Sequence, residues 1–212
     1  MSTIEQDHEE RQAHAKKRKS AFKRLTEVPR EDLNRLLALR HADPHSILGA
    51  HIIPAGVVVR TYRPNAEKVL LLEDGQEPLE MTERPEAGIF EIVVAGRRAT
   101  FPYQLSVSYP GGSQFTLRSS YSFLPSLGEL DLYLLREQKH ERAYDKLGAH
   151  VHEMDGIAGV AFAVWAPNAS GVSVVGDFNG WDGRLHMMRM LGSSGIWESF
   201  VPDIQPGTRY KY

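Results

Sequence analysis

The chain repeats itself at a nearly constant interval. LGAH stands at 48–51 and again at 147–150, 99 residues later. Arg63-Pro64-Asn65 aligns with Ala166-Pro167-Asn168 at an interval of 103. Gly88-Ile89-Phe90 aligns with Gly195-Ile196-Trp197, and Tyr103-Gln104-Leu105 with Tyr210-Lys211-Tyr212, both at 107. Four landmarks in one order at spacings of 99 to 107 define two copies of a unit of ~100 residues, the usual size of a small β-sandwich.

Within each copy the pattern is that of strands. Val160, Phe162 and Val164 share one face of a run whose other face carries Ala161, Ala163 and Trp165, a period-2 alternation apolar on both sides. Pro167, Asn168, Ser170 and Gly171 supply turn chemistry before a second run at 172–175. In the first copy strands are expected at 57–62, 69–73, 89–94, 103–107 and 115–117, separated by Gly, Pro and Asn. A short helix after Pro29 places Leu33, Leu36, Leu37 and Arg40 on one face and stops at Asp43-Pro44. The run from Asp131 to Leu135, too apolar for a free linker, reads as a short extended segment lying across a neighbour.

Composition removes several classes of function. With 25 basic against 27 acidic residues the net charge is -2, which offers no electrostatic case for nucleic acid. The basic cluster AKKRKSAFKR at 15–24 is read as a solvated chain end. No apolar run approaches the ~20 residues of a membrane span. There is no cysteine, hence no disulfide or thiolate chemistry, and no apolar signal-peptide core at the start, so the cytoplasm is the expected compartment. His41, His45 and His51, and again His150 and His152, lack the spacing of a known metal site and are read as structural; no metal and no cofactor is expected.

The string FAVWAPNASGVSVVGDFNGWD at 162–182 resembles the family-48 carbohydrate-binding module of α-glucan-active enzymes. Together with ADPHSILGAH at 42–51 and DLYLLREQKHERAYDKLGAH at 131–150, the resemblance narrows to the amino-terminal region of the glycogen branching enzyme family, over 29–212. Members of that family usually carry a glycine where Gln138 stands. The resemblance implies a mainly β fold: two tandem immunoglobulin-like (early-set) β-sandwich modules, the second incomplete. The expected organisation is a disordered or helical leader at 1–28, an amino-terminal module at 29–120, a linker at 121–143 and a truncated carbohydrate-binding module at 144–212. By comparison with the first copy the second lacks at least one strand and is expected to be weakly stable in isolation. The resemblance also implies an α-glucan partner, such as glycogen or maltooligosaccharides, and a catalytic (β/α)8 barrel, absent from this chain, on which these modules would pack.

Sugar binding is the chemistry that the visible residues offer. Glucose rings present C–H faces that pack on an indole and hydroxyls that need donors and acceptors. Trp181 lies on a polar Gly/Asn-rich loop found only in the second copy, and Asn179 is the candidate for hydroxyl contacts. Lys211 lies between Tyr210 and Tyr212, so tyrosines facing inward turn the lysine outward. In glucan-binding members of the module family the loop tryptophan and this lysine touch sugar. The competing reading packs Trp181 on the sandwich edge or against the barrel. Trp165 and Trp197, on regular strands, are assigned to core or interface, and the first copy to a spacer or docking role.

No catalytic residue is assigned. A retaining glycosyl transfer needs two carboxyl groups ~5–5.5 Å apart, and Asp177, Asp182, Glu198 and Asp203 fit no such motif. The expected function is therefore the glucan-binding, positioning part of a branching enzyme, inactive without its barrel. The alternative is a stand-alone α-glucan-binding or regulatory module. A debranching enzyme of the same superfamily is disfavoured by the duplicated leader.

Overall fold

The structure, a computed structural model, describes residues 27–86 and 88–212; the basic cluster at 15–24 and most of the expected leader lie outside the described residues. The first copy runs α1 (Arg30–Leu37), β1 (Gly49–Ile53), β2 (Gly56–Tyr62), β3 (Lys68–Leu72), β4 (Leu79–Glu80), β5 (Thr82–Glu83), β6 (Ile89–Ala95), β7 (Gln104–Ser108) and β8 (Gln114–Leu117). The second runs α2 (Glu129–Arg136), β9 (Gly148–Met154), β10 (Ile157–Trp165), β11 (Val175–Gly176), β12 (Arg189–Met190), β13 (Ile196–Pro202) and β14 (Tyr210–Lys211).

In the first copy two antiparallel sheets, β1-β2-β6-β5 and β4-β3-β7-β8, face each other. Val57, Val59, Val69, Leu71, Met81, Phe90, Leu105 and Val107 close the space between them. The second copy repeats the first sheet as β12-β13-β10-β9 and has the ribbon β11-β14 in place of the second. There the counterpart of β4 is reduced to the bridge Ser173–Met187, and β8 has no counterpart among the described residues. The fold is thus the mainly β sandwich pair expected from the sequence.

The duplication holds at the level of single residue pairs. Ala50 opposite Val59 becomes Ala149 opposite Phe162, and Val59 opposite Ile92 becomes Phe162 opposite Ser199. Thr82 opposite Glu91 becomes Arg189 opposite Glu198, and Leu72 opposite Gln104 becomes Val175 opposite Lys211. Because a slip of one residue would turn every side chain to the other face, the shared register also repeats the core. Val57, Val59, Leu71, Met81 and Phe90 correspond to Val160, Phe162, Val174, Met188 and Trp197.

The segment read as a linker is corrected. Residues 129–136 form a helix, not an extended segment, and the helix belongs to the second repeat. It stands 99 residues after α1, and Leu132 and Leu135 match Leu33 and Leu36. LDLYLL alternates well enough for a strand, so its period alone did not separate the two; packing did. Leu132 and Leu135, three apart, pack with Leu127, Ala163, Leu191 and Ile196 on the outer face of the β10–β13 pair, as α1 covers Tyr62 and Ile89. An eight-residue helix is marginal by itself, so the partial burial of Leu132 and Leu135 supports it. Both helices end alike. Leu39 (φ 57) and Gln138 (φ 56) take the left-handed conformation, and the next amide in each bonds back to Arg35 O at 2.8 Å and Leu134 O at 2.9 Å.

The connection between the copies is 118–128, and it is anchored at Tyr121, Phe123, Ser126 and Leu127 while Leu124 and Pro125 stay exposed. The Tyr121 hydroxyl accepts from Met187 N at 3.0 Å and donates to Leu185 O at 3.4 Å. Phe123 packs edge-on against Phe200 at 4.7 Å. Ser126 donates through N and Oγ to Glu198 Oε2 at 3.2 and 2.9 Å. The two copies also meet directly, through Arg118–Asp203 at 2.8 Å and Met190 N to Ala42 O at 2.7 Å. A Cβ on Gly171 would lie 2.0 Å from Leu39 O, so only glycine allows that approach.

Candidate functional site

The loop that follows β11 is built around Asn179. Residues Asp177–Asn179 form one 3-10 turn, and Gly180 (φ 61) and Trp181 (φ 63) then both take left-handed conformations. A tryptophan in that region is strained unless its surroundings hold it. Asn179 does so: its Oδ1 accepts from Gly176 N at 2.9 Å, and its Nδ2 donates to Val174 O and to His186 Nδ1, each at 3.0 Å. Trp181 N adds a bond to Gly176 O at 3.0 Å. Gly176 itself tolerates no Cβ, which would lie 2.3 Å from Arg209 O.

The role expected of Asn179 is therefore corrected. The side chain is 7% exposed and its amide holds the loop instead of facing a sugar. Its sequence, Asp-Phe-Asn-Gly, carries turn chemistry as readily as ligand chemistry. Trp181 is 44% exposed, and its indole Nε1 donates to Asp177 Oδ1 at 3.2 Å. Arg209 grips the same carboxylate, Nε to Oδ2 and Nη2 to Oδ1, both at 3.0 Å. That guanidinium holds the Asp177 carboxyl below the usual carboxylate range. The indole is thus an open ring fixed at one edge.

Lys211 sits beside this loop. It stands opposite Val175 in the β11–β14 ribbon, one step from the Gly176–Tyr210 pair at which Trp181 is tied. The rings of Tyr210 and Tyr212 lie 5.0 and 6.5 Å from the buried Phe162, and the Tyr212 hydroxyl donates to Gly148 O at 2.9 Å. Alternation along the strand then turns Lys211 to the opposite, open face, together with Arg209 two residues earlier. Arg209 and His186 were missed in the sequence, and Asp177 was weighed there only as a catalytic acid. Arg209 was findable, since it shares the period-2 face of Lys211.

The remaining candidates have structural partners. Trp197 is buried and its Nε1 donates to Ala166 O at 3.0 Å, whereas Trp165 is 63% exposed, outside the core. His51 and His150 donate through Nε2 to Leu48 O and Leu147 O, each at 3.0 Å, so the repeated LGAH motif is a backbone tie. Each of the four acids weighed for catalysis is paired with an arginine: Asp177 with Arg209, Asp182 with Arg184, Glu198 with Arg189 and Asp203 with Arg118. Among the described residues no group of three or more His, Cys, Asp or Glu is placed to hold a metal ion, and no helix is long and apolar enough to cross a membrane. In the first copy the corresponding turn is Glu73-Asp74-Gly75, without a tryptophan.

Two sandwiches of repeated strand order and register, with a ring-bearing loop on the second, define a tandem β-sandwich protein. Residues 146–212 match the family described as carbohydrate-binding module 48 (isoamylase N-terminal domain), and residues 29–121 match the N-terminal domain of alpha-1,4-glucan branching enzyme GlgB. Over these two domains the chain is similar to the amino-terminal region of the 1,4-alpha-glucan branching enzyme GlgB family. It is 54% identical to the enzyme of Myxococcus xanthus over 181 residues, 85% of this chain and 24% of that protein. It is 47% identical to the enzyme of Nocardia farcinica over 190 residues, 87% of this chain and 25% of that protein. The chain thus spans about a quarter of the length of the curated relatives it matches.

Proposed function

We propose that this chain is the glucan-holding, positioning region of a branching enzyme, which cuts α-1,4-glucan chains and re-attaches them through α-1,6 bonds. The Trp181 face takes the apolar side of a glucose ring, and Lys211, with Arg209 behind it, donates to ring hydroxyls. The carrying observation is the half-exposed indole fixed by Asp177 at the Lys211 end of the β11–β14 ribbon. Stacking on a pre-set ring costs little ordering entropy, the usual means by which flat aromatic sites bind flexible ligands.

The catalytic step is assigned to a domain outside these residues, a reading supported by the ion pair that each of the four candidate acids makes here. The outer face of the second sheet supports a packed neighbour. Trp165 occupies the place of Tyr62, opposite Ile196 as Tyr62 is opposite Ile89. Tyr62 is buried in the cluster that joins the first copy to Met187 of the second, while Trp165, Leu130 and Tyr133 are exposed. By the internal repeat, that face is where the catalytic domain packs.

Co-sedimentation with glycogen tests the binding surface. The chain is expected to bind, Trp181→Ala to weaken binding at least ten-fold and Lys211→Ala several-fold, each with an unchanged melting temperature. Failure of the parent chain to bind, or full binding by Trp181→Ala, overturns the surface. An iodine-stain branching assay on the chain alone tests the assignment of catalysis elsewhere, and any branching activity overturns it.

A further inference from the structure

The face that carries Lys211 does not end with the second copy. Val175 stands opposite Lys211 in the β11–β14 ribbon, and cross-strand partners share a face. Gly183 lies over that face: a Cβ there would meet Ser173 Cβ at 3.4 Å and Val175 Cγ1 at 3.6 Å. Trp181 comes two residues before Gly183, and Arg184 one after. Leu185 O then accepts from the Tyr121 hydroxyl at 3.4 Å, which sets this segment against the first copy. The hydroxyls of Tyr62 and Tyr109 lie within electrostatic reach of the Arg184 guanidinium. The loop from Trp181 to Leu185 thus joins the Lys211 face to the first copy.

There the first copy presents two rings. Phe115, opposite Val107 in the outermost strand β8, is 57% exposed. It packs edge-on with the half-buried Tyr109 at 6.2 Å. The turn between β7 and β8 holds the pair. Tyr109 N donates to Ser113 O at 2.8 Å, and Gly111 (φ 86) and Gly112 (φ 84) supply the left-handed residues. A single open ring is ordinary on a protein surface. Here a fixed pair stands at one end of a face whose other end carries an open indole.

The polar groups between the rings are open and their charges are matched. Asp182 holds Arg184 through Nε at 2.9 Å and Nη2 at 2.7 Å, and both side chains stay partly exposed. Arg184 Nη1 makes no hydrogen bond among the described residues. The exposed Gln114 donates through Nε2 to Ser106 Oγ at 2.7 Å, which leaves Oε1 as an acceptor. A neutral stretch with a spare donor and a spare acceptor suits an uncharged chain of hydroxyls. An α-glucan repeats its C–H faces and hydroxyls along its length, so one chain can meet rings set apart.

We propose that the Tyr109–Phe115 ridge is the far end of the glucan surface that starts at Trp181, so that one long α-1,4-glucan chain lies across both copies and Arg184 donates to its hydroxyls in between. This rests on the Trp181 surface and adds a chain length to it: a short oligosaccharide reaches one ring platform, a long chain both. A second contact tightens binding only for a ligand able to span the two. The first copy, which lacks the loop tryptophan, thereby takes a direct part in binding.

Calorimetric titration of the whole chain with maltotriose and with short-chain amylose tests the span. Phe115→Ala should weaken amylose binding about five-fold and leave maltotriose binding and the melting temperature unchanged. Phe115→Tyr, which keeps a ring, should bind amylose as the parent does, and Trp181→Ala should weaken both ligands. Unchanged amylose affinity in Phe115→Ala overturns the ridge and leaves the Trp181 surface standing. An equal loss for both ligands does the same, because it marks a change in the fold and not a lost contact. Amylose binding that survives Trp181→Ala but is lost in Phe115→Ala overturns the shared surface from the other side. Failure of the parent chain to bind amylose overturns both readings.

Discussion

Asn179 Nδ2 donates to His186 Nδ1 at 3.0 Å, so His186 is neutral and carries its proton on Nε2. Burial, with a smaller contribution from the charge of Arg63, pushes the imidazole down to about 3. His45 is likewise pushed down to about 3, by burial and then by Arg189. Both histidines bind protons in the unfolded chain, near 6.5, before they do so in the folded one. Their contribution to stability is therefore complete above pH 6.5 and is lost as pH falls toward 3, by about 1.4 kcal/mol per pH unit for each group. Denaturant unfolding between pH 7.5 and 4.5 should show this loss, and His186→Gln should reduce its slope by about half. A flat profile contradicts the burial of both rings.

Protonated His186 can no longer accept from Asn179, so the Trp181 loop depends on the same bond. The other tie is Asp177. Asp177→Ala frees the indole edge and Arg209, and glycogen binding is expected to weaken about three-fold, less than for Trp181→Ala, which removes the platform itself. Co-sedimentation measures the difference, and equal losses would mean that orientation of the ring, not its area, dominates.

Glu198 is fully buried beneath the connection, bonded to Arg189 and to Ser126. Glu198→Ala leaves a buried guanidinium unpaired, which costs about 3–5 kcal/mol. The double substitution Arg189→Met with Glu198→Leu removes both charges and should recover most of that loss. A melting-temperature fall of roughly 6–20 °C for the single change, at about 2–4 °C per kcal/mol for a chain of this size, is the expected reading.

Gln138 ends α2 in the left-handed region where its relatives are expected to have glycine. Its Cβ costs about 1 kcal/mol there, partly offset by the greater freedom of glycine in the unfolded chain. Gln138→Gly should stabilise by about 0.5 kcal/mol, read as a raised denaturant midpoint at constant slope. A lowered midpoint would show that the Gln138 side chain contributes more than its backbone strain costs.

Much of the fold was legible because it is written twice. The strands at 57–62, 69–73, 89–94 and 103–107 are observed to within a residue or two, since alternation of apolar side chains is a local property of the chain. The intervals of 99, 103 and 107 reappear as identical strand registers, which no single strand could have announced. Trp181 was singled out as a departure of the second copy from the first, and Lys211 by its place between two tyrosines on one strand.

What only the tertiary structure decided concerns partners far away in sequence. The helix at 129–136 exists because Ala163, Leu191 and Ile196 offer it a surface; its own period was ambiguous. Asn179 turned inward because Val174 and His186 accept its amide, and the Trp181 loop meets the first copy only where Leu185 packs against Tyr121. Periodicity, turn chemistry and duplication can be read along one strand of text. Burial depends on which surfaces meet, and that is settled only when the whole chain has packed.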